Sequence, residues 1–399
     1  MASADQESGS KTAAINHYDG IFKFVHEKAA QESFQRARLL LARKRWEDAV
    51  SAFRQARAQA RDNTNDVDTL DLILQEMARY RDNLIPDDVL PRAVDWSSVC
   101  QRPVLRLEER SDRLPQGVFF LTLGPADTRR HLVGRKTLSD KWLMNRIPEL
   151  FCSLIRPDMV LGQLADQRLT DHSVIVYYHP LDNAEKLQLF RDIYACEGES
   201  AELTFPFPLL KASTREEFTS PAEGWQVDNV YDDMLSNGEA HIREYTCRYL
   251  CSLKLAKPRL YDPACSTGIF LSTLKSALPD AYTIGQDLSK QMADVSRERL
   301  DEAHHGDALE PQIQLASAQV VFSRFLNSEV VTSAQAEMLL APLLKTVAVG
   351  GLFVVLGHTP ILLSSANFRS LDNFRLERCV AVDVEKRGLF QYYVLKRMK

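Results

Sequence analysis

Between Gly20 and about Asn83 the apolar side chains fall at three- and four-residue steps. Leu39, Leu40, Ala49, Val50, Phe53 and Ala56 mark them, with Arg, Lys, Glu and Gln between. This period predicts amphipathic helices. Pro86, Pro91 and Pro103 then punctuate a connector, and the pattern turns to short β-type runs. These are Val118 to Leu123, Ser173 to Tyr178 and Ala201 to Phe205, separated by helical stretches over about Lys141 to Ile155 and Asn183 to Cys196. Alternation of this kind predicts a small α/β or α+β region. Pro206, Pro208, Pro221 and Gly224 mark a second linker ending near Trp225.

From there strands and helices alternate as one unit. A helix is expected from about Gly238 to Leu255, a strand over Arg259 to Asp262, and a helix from Thr267 or Gly268 to near Leu278. A second strand covers Tyr282 to Asp287. Ser289 caps a helix to about Glu302, and a short third strand lies around His305 to Ala308. A fourth strand covers Ala318 to Phe322, a helix Ser333 to Val347, and a fifth strand Leu352 to Leu356 after a turn at Gly350-Gly351. Two last runs, Cys379 to Val384 and Leu389 to Leu395, read as a hairpin around Lys386-Arg387-Gly388. The predicted fold class is a doubly wound, Rossmann-like α/β sheet, preceded by an α-helical segment and a small α/β (or α+β) region. The expected division is a disordered tail over 1–19, a helical region over 20–103, a cap or substrate/partner domain over 104–224, and the doubly wound domain over 225–399.

Within the helical region, Arg45 to Ala56 resembles the second half of a tetratricopeptide repeat. A single copy is visible where a solenoid needs about three, so a plain helical hairpin packing on its neighbours is expected. Such helices could also dock a protein partner or a second copy.

Composition narrows the setting. The 399 residues are 45% hydrophobic and 26% charged, an ordinary globular balance with enough apolar side chains for more than one core. The net charge of −5 argues against general nucleic-acid binding. The seven cysteines are scattered, with no C-x-x-C pair, which argues against a disulfide framework or a zinc site. Cys247 and Cys251, four apart on an expected helix, read as small core residues. No apolar run reaches the ~18 residues of a membrane span, and no signal peptide opens the chain, so a cytoplasmic setting is expected.

The chemistry concentrates in Asp262-Pro263-Ala264-Cys265-Ser266-Thr267-Gly268, which joins an apolar strand to a helix. Small residues at Ala264, Ser266 and Gly268 let a ligand approach the backbone. The amides that open the helix can receive a carboxylate, and Asp262 can accept from an ammonium group. Asp287 ends the second strand 25 positions after Asp262, where doubly wound folds place the acid that holds ribose hydroxyls. The segment resembles motif I of class I S-adenosylmethionine (SAM)-dependent methyltransferases, with Ala264-x-Ser266-x-Gly268 in place of the usual three glycines.

The resemblance implies SAM as cofactor. It places the ribose on Asp287, the adenine against Leu288 and Met292, and the adenine amino group on Asp307, with Ala308 beside it. Cys265 would pack in the cofactor turn and is not expected to act as a nucleophile. Ser323 and Arg324, after the fourth strand, become candidates for cofactor contact. Tyr231 sits where a lid tyrosine touches the cofactor, and it is also a catalytic candidate together with Asn327. Glu329 and His358 are weaker candidates for taking an acceptor's proton. Arg243, on the helix after Tyr231, could pair with a ligand carboxylate or equally form a surface salt bridge. The absence of Asn-Pro-Pro-Tyr or Asp-Pro-Pro-Tyr disfavours DNA as acceptor.

The expected activity is methyl transfer to a small-molecule or carrier-bound acceptor, such as a specialised metabolite. A second reading is SAM-consuming aminocarboxypropyl transfer, or intramolecular cyclisation, releasing methylthioadenosine. A non-catalytic SAM-binding scaffold and a protein methyltransferase complete the alternatives.

Overall fold

A computed structural model of the chain describes residues 25–43, 45–60, 63–110, 117–125, 128–136, 154–171, 173–208, 216–225, 240–327, 330–357, 360–385 and 388–399. The expected N-terminal tail, nearly all of the expected helix over Lys141 to Ile155, and Tyr231, Glu329 and His358 lie outside these residues.

Three helices open the described chain: α1 (Lys28–Ala42), α2 (Trp46–Gln59) and α3 (Thr64–Asn83). The expected hairpin is therefore joined by a third helix. Ala30, Ala37, Ala49, Ala52 and Ala56 are all buried, with Phe53, Leu70, Ile73 and Met77 filling the space between the helices. Small residues on facing stripes let helix axes approach closely. The buried Asp66 carboxylate accepts from the His26 and Glu27 amides at 2.8 and 2.6 Å. It thereby satisfies donors at the start of α1 from the first turn of α3.

After the single-turn α4 (Trp96–Val99) comes the first sheet. Its strands are β1 (Leu105–Arg110), β2 (Val118–Leu123), β3 (Arg130–Arg135), β4 (Val160–Leu169), β5 (Ser173–Pro180) and β6 (Ala201–Thr204), in the order β1-β5-β4-β3-β2-β6. Every neighbouring pair is antiparallel. With α5 (Asn183–Ala195) packed on one face, the region is α+β, the second of the two expected classes. Three of its strands were not expected from the pattern. β1 and the second half of β4 are mostly exposed and charged, and β3 carries Arg130, His131 and Arg135 around a short apolar centre. Their alternation is hidden because only one face, or part of one, is buried.

The second sheet begins after α6 (Ala240–Ser252). Its strands are β7 (Arg259–Asp262), β8 (Tyr282–Asp287), β9 (Glu302–His305), β10 (Ala318–Ser323), β11 (Val347–Val355), β12 (Phe374–Asp383) and β13 (Gly388–Arg397). The order is β12-β13-β11-β10-β7-β8-β9. The five strands β7 to β11 pair in parallel, and β13 runs antiparallel to both β11 and β12. Helices α7 (Ile269–Ala277), α8 (Lys290–Ser296), α9 (Ser333–Leu344) and α10 (Ser365–Arg369) connect them. The chain winds outward from β7 in one direction through β8 and β9, and in the other from β10. The switch point lies between β7 and β10, where such sheets bind ligands at their carboxyl ends. This is the doubly wound, Rossmann-like sheet expected from the sequence.

Several boundaries differ from expectation. β9 lies at Glu302–His305, upstream of the expected His305 to Ala308, and α8 stops at Ser296, short of Glu302. The cause is Asp301, whose carboxylate accepts from the Thr283 amide and hydroxyl, both at 2.8 Å. That contact draws the 297–301 segment to the start of β8 and ends the helix early. β11 starts at Val347, so Gly350 and Gly351 lie inside the strand. They occupy an irregularity where the register jumps from Ala318↔Val347 to Val320↔Leu352.

The two sheets share a core. Val380, Val382 and Leu389 of the β12–β13 hairpin pack in one cluster with Phe119, Leu121, Met159, Phe190 and Leu203. Ile155 pairs with Leu389 across the boundary, and the Gln391 side chain donates to the Leu203 carbonyl at 3.1 Å. A strap over 216–225 links further parts. Phe218 inserts into the three-helix core, and Glu217 accepts from the Ser333 amide at the start of α9 at 2.9 Å. At the strap's end, Gly224 (φ +76°) lies so close to Leu288 and Ser289 that a Cβ there would come within 2.5 Å of the Ser289 nitrogen. Among the described residues no helix is long and apolar enough to cross a membrane.

Candidate active site

The site is built from the turn after β7. Cys265 donates its amide to the Gln286 carbonyl at 2.8 Å, which seats the turn on the neighbouring strand. Ser266 (φ +53°) and Gly268 (φ +83°) take left-handed conformations. At Gly268 a Cβ would lie 3.1 Å from Ser296 and 3.2 Å from Leu300, so both the backbone and the space there favour glycine. α7 starts directly after it. The expected small residues therefore stand where the chain turns sharply under the strand ends.

Two carboxylates frame this turn. Asp262 is 0% exposed. Its Oδ1 accepts from the Ala264 amide at 3.0 Å and its Oδ2 from Arg324 Nε at 2.7 Å. Asp287 is 7% exposed. Its Oδ2 accepts from the Ser266 amide and its Oδ1 from the Ser289 amide, each at 2.8 Å. Burial pushes the Asp287 carboxyl up to about 6, against the opposite pull of those two amides. The Ser266 bond couples the position expected to hold ribose to the turn expected to hold the amino-acid half.

Cys265 is buried, and burial pushes its thiol well above the ordinary range. It packs against Gly285, where a Cβ would come within 2.7 Å of Cys265 Sγ. The thiol is a packing group, as expected. After Asp287 in the chain, Leu288 is half-buried and Met292 buried. Asp307 follows β9 and does not end it. Its carboxylate is exposed and accepts from the Leu309 amide at 2.9 Å, while Ala308 is buried.

Ser323 ends β10 fully buried, and its hydroxyl has no hydrogen-bond partner among the described residues. Arg324 follows, with its guanidinium 4.7 Å from the Phe270 ring centroid and its Nη2 3.3 Å from the Ala264 carbonyl. Asn327 is buried and donates its amide to the Arg324 carbonyl at 2.9 Å. That bond closes the turn carrying Arg324, so Asn327 braces the turn. On α6, His241 and Tyr245 are packed edge-on against Phe390 in the core, and Arg243 is half-buried.

One supporting residue was not singled out from the sequence. Gln286 is fully buried. Its Oε1 accepts from the Tyr261 hydroxyl at 2.6 Å and the Gln312 amide at 2.7 Å, and its Nε2 donates to the Asp307 carbonyl at 2.7 Å. It joins the ends of β7 and β8 to the loop after β9. The signal was a polar residue at an interior strand position, next to Asp287. The structure thus brings Asp262, Ala264, Cys265, Ser266, Gly268, Asp287, Ser323 and Arg324 to one switch point. The residues fit SAM: a left-handed turn of small residues, a buried acid beside it, and a buried hydroxyl without a partner among the described residues.

Among curated proteins, isonocardicin synthase of Nocardia uniformis subsp. tsuyamanensis is 36% identical over 301 residues, covering 74% of this chain and 97% of that protein. The chain belongs to the isonocardicin synthase family. No family model matches it. Among solved structures, a SAM-dependent methyltransferase from Aquifex aeolicus aligns over 43% of this chain and 99% of its own at 13% identity and a TM-score of 0.33. Magnesium protoporphyrin IX methyltransferase from Synechocystis aligns over 43% of this chain and 86% of its own at 13% identity and a TM-score of 0.32. At such scores the fold assignment rests on the sheet itself. The family makes the chain an enzyme, a SAM-consuming transferase.

Proposed function

We propose that this enzyme transfers the aminocarboxypropyl chain of SAM to a nucleophilic atom of a small-molecule or carrier-bound acceptor. One observation carries the choice over methyl transfer. The relative matched along nearly its whole length is named a synthase and not a methyltransferase. Bound SAM supplies a sulfonium whose carbons are open to attack: chain transfer forms a bond at the γ-carbon, breaks that carbon's bond to sulfur and releases methylthioadenosine, the acceptor's proton passing to solvent.

The protein's task is alignment and exclusion of water, since the sulfonium already activates the carbon. Asp287 would hold the ribose hydroxyls, with Leu288 and Met292 against the adenine and Asp307 and Ala308 at its edge. Ala264, Cys265, Ser266 and Gly268 would carry the amino-acid half over the start of α7. Ser323 and Arg324 would line the floor, with Asn327 bracing the turn that follows them. Tyr231 remains a candidate for cofactor contact and catalysis. The helical region and the antiparallel sheet over 104–224 would form the acceptor side, and the setting would be cytoplasmic. Methyl transfer is the second reading, favoured by the class I methyltransferase sheet.

The two readings differ in product. The full-length protein is incubated with SAM and a panel of amine, hydroxyl and thiol acceptors, and the nucleoside product is identified by mass spectrometry. Methylthioadenosine supports chain transfer. S-adenosylhomocysteine overturns it in favour of methyl transfer.

A further inference from the structure

We propose that the strap over 216–225 positions the ribose acid. Anchored in the three-helix core at Phe218, it seats Gly224 on the Ser289 amide that holds Asp287, so the helical region governs how well the site reads the ribose hydroxyls of SAM. The assignment rests on the reading that Asp287 receives the ribose, and it gives the helices a part in that recognition.

The strap is tied down before it reaches the acid. Phe218 packs among the buried residues of the three helices. Glu217 accepts from the amide and the hydroxyl of Ser333 at 2.9 and 2.7 Å. Ser220 donates its amide to the Val330 carbonyl at 2.7 Å, and Val330 donates to the Asn327 carbonyl at 3.2 Å, in the loop after β10. Two bonds then shape the strap's end. Trp225 Nε1 donates to the Ser220 hydroxyl at 3.1 Å, and the Gly224 amide to the Pro221 carbonyl at 2.9 Å. Gly224 itself meets the loop after β8. The strap therefore joins the loops after β10 and β8, the two strands that flank β7 in the sheet. Strands two places apart lie about 10 Å from each other. Four residues of chain reach at most about 14 Å, and the 221–224 turn shortens that reach. The run from Ser220 to Gly224 thus has little slack, and a shift at one end is carried to the other.

The contact at Gly224 is with main chain. A Cβ there would lie 2.5 Å from the Ser289 nitrogen, 2.8 Å from Ser289 Cα and 2.9 Å from the Leu288 carbonyl carbon. With φ at +76° as well, the position favours glycine twice over. The nitrogen approached so closely is the one that donates to Asp287 Oδ1 at 2.8 Å. The other carboxylate oxygen is held by the Ser266 amide, from the turn after β7. Each carboxylate oxygen keeps a second lone pair for a hydroxyl, and the two amides fix where those lone pairs point. Displacing Ser289 while Ser266 stays in place would turn the carboxylate away from that direction.

The test is calorimetric titration of the full-length protein with S-adenosylhomocysteine and its 2′-deoxy analogue, in the parent and in Asp287→Asn, Gly224→Ala and Phe218→Leu. S-adenosylhomocysteine carries the whole nucleoside, whichever group is transferred. The parent is expected to prefer it over the deoxy analogue by about tenfold, the size of one hydrogen bond to a charged acceptor. Gly224→Ala is expected to cut that ratio to about threefold or less. Phe218→Leu loosens the anchor without touching the loop after β8, and should lower the ratio in the same direction. A general loss of stability would weaken both ligands equally and keep the ratio. A parent-like ratio in Gly224→Ala, with the ratio lost in Asp287→Asn, overturns the strap's role and leaves the ribose reading standing. A parent-like ratio in Phe218→Leu overturns the part given to the helices. A parent without preference, or a parent-like ratio in Asp287→Asn, overturns the ribose reading itself. If Gly224→Ala binds neither ligand, Phe218→Leu decides by the same ratio.

Discussion

Burial pushes the Asp287 carboxyl up to about 6, although two backbone amides donate to its charged form. The consequences for stability and for binding have opposite signs. Because the folded value lies above the ordinary 3.8, the group's contribution to stability is full below that value and is lost as pH rises through about 6. In the proposed ribose site the hydroxyls would donate to the ionised form, so SAM binding should weaken as pH falls through about 6. Titrating parent and Asp287→Asn across this window checks both. The parent should lose stability relative to the variant between about 4 and 6 as pH rises, and the acid-side fall in SAM affinity should vanish in the variant. A fall that persists in Asp287→Asn would remove Asp287 from the ribose site. The cysteines give a second test. Cys100, Cys196 and Cys251 are exposed, Cys251 against the expected core position, and Cys265 is buried with a raised thiol. Brief alkylation followed by peptide mapping should mark the first three and spare Cys265; rapid labelling of Cys265 would reopen it as a nucleophile.

Gly285 decides how closely the turn after β7 seats on β8. A Cβ there would lie 2.6 Å from Leu300 and 2.7 Å from Cys265. Gly285→Ala should therefore destabilise the protein by about 1–3 kcal/mol through overpacking. Adding Cys265→Ala should recover part of that loss in denaturant melts, and strictly additive losses would mean the thiol is not the obstacle. At this scale the sequence was informative wherever one rule acted alone. β7 and β8 are short strands that each end on an aspartate, Ser289 caps α8 through its side chain, and the 264–268 turn announces itself by small residues. It misplaced β9 because the Asp301 carboxylate, bonded to Thr283, overrides the helical pattern through Glu302. It missed β1, β3 and β4 because their buried faces are short and charged side chains fill the rest.

Across the whole molecule, the β12–β13 hairpin belongs to two structures at once. It completes the second sheet and supplies Val380, Val382 and Leu389 to the core beneath the first. Leu389→Ala should cost about 2–5 kcal/mol. Calorimetry should show the two sheets melting in one transition that shifts as a whole; two separated transitions would mean that the shared core does not couple them. A chain cut at the expected 224/225 boundary would expose this apolar face and release the strap that places Phe218 in the helical core and Gly224 on Leu288 and Ser289. Taken alone, the sequence determined the alternation of strand and helix after Trp225, the turn that can hold SAM, and the acid that ends β8. Each of those is written in short-range spacing, which side-chain size and backbone geometry enforce locally. Only the tertiary structure decided that Asp262 is covered by Arg324, that Asn327 braces the turn carrying that arginine, that Asp307 stands exposed after its strand, and that two sheets share one core. Those outcomes depend on contacts between residues far apart in the chain, where burial and competing hydrogen bonds choose among partners that local pattern leaves equivalent.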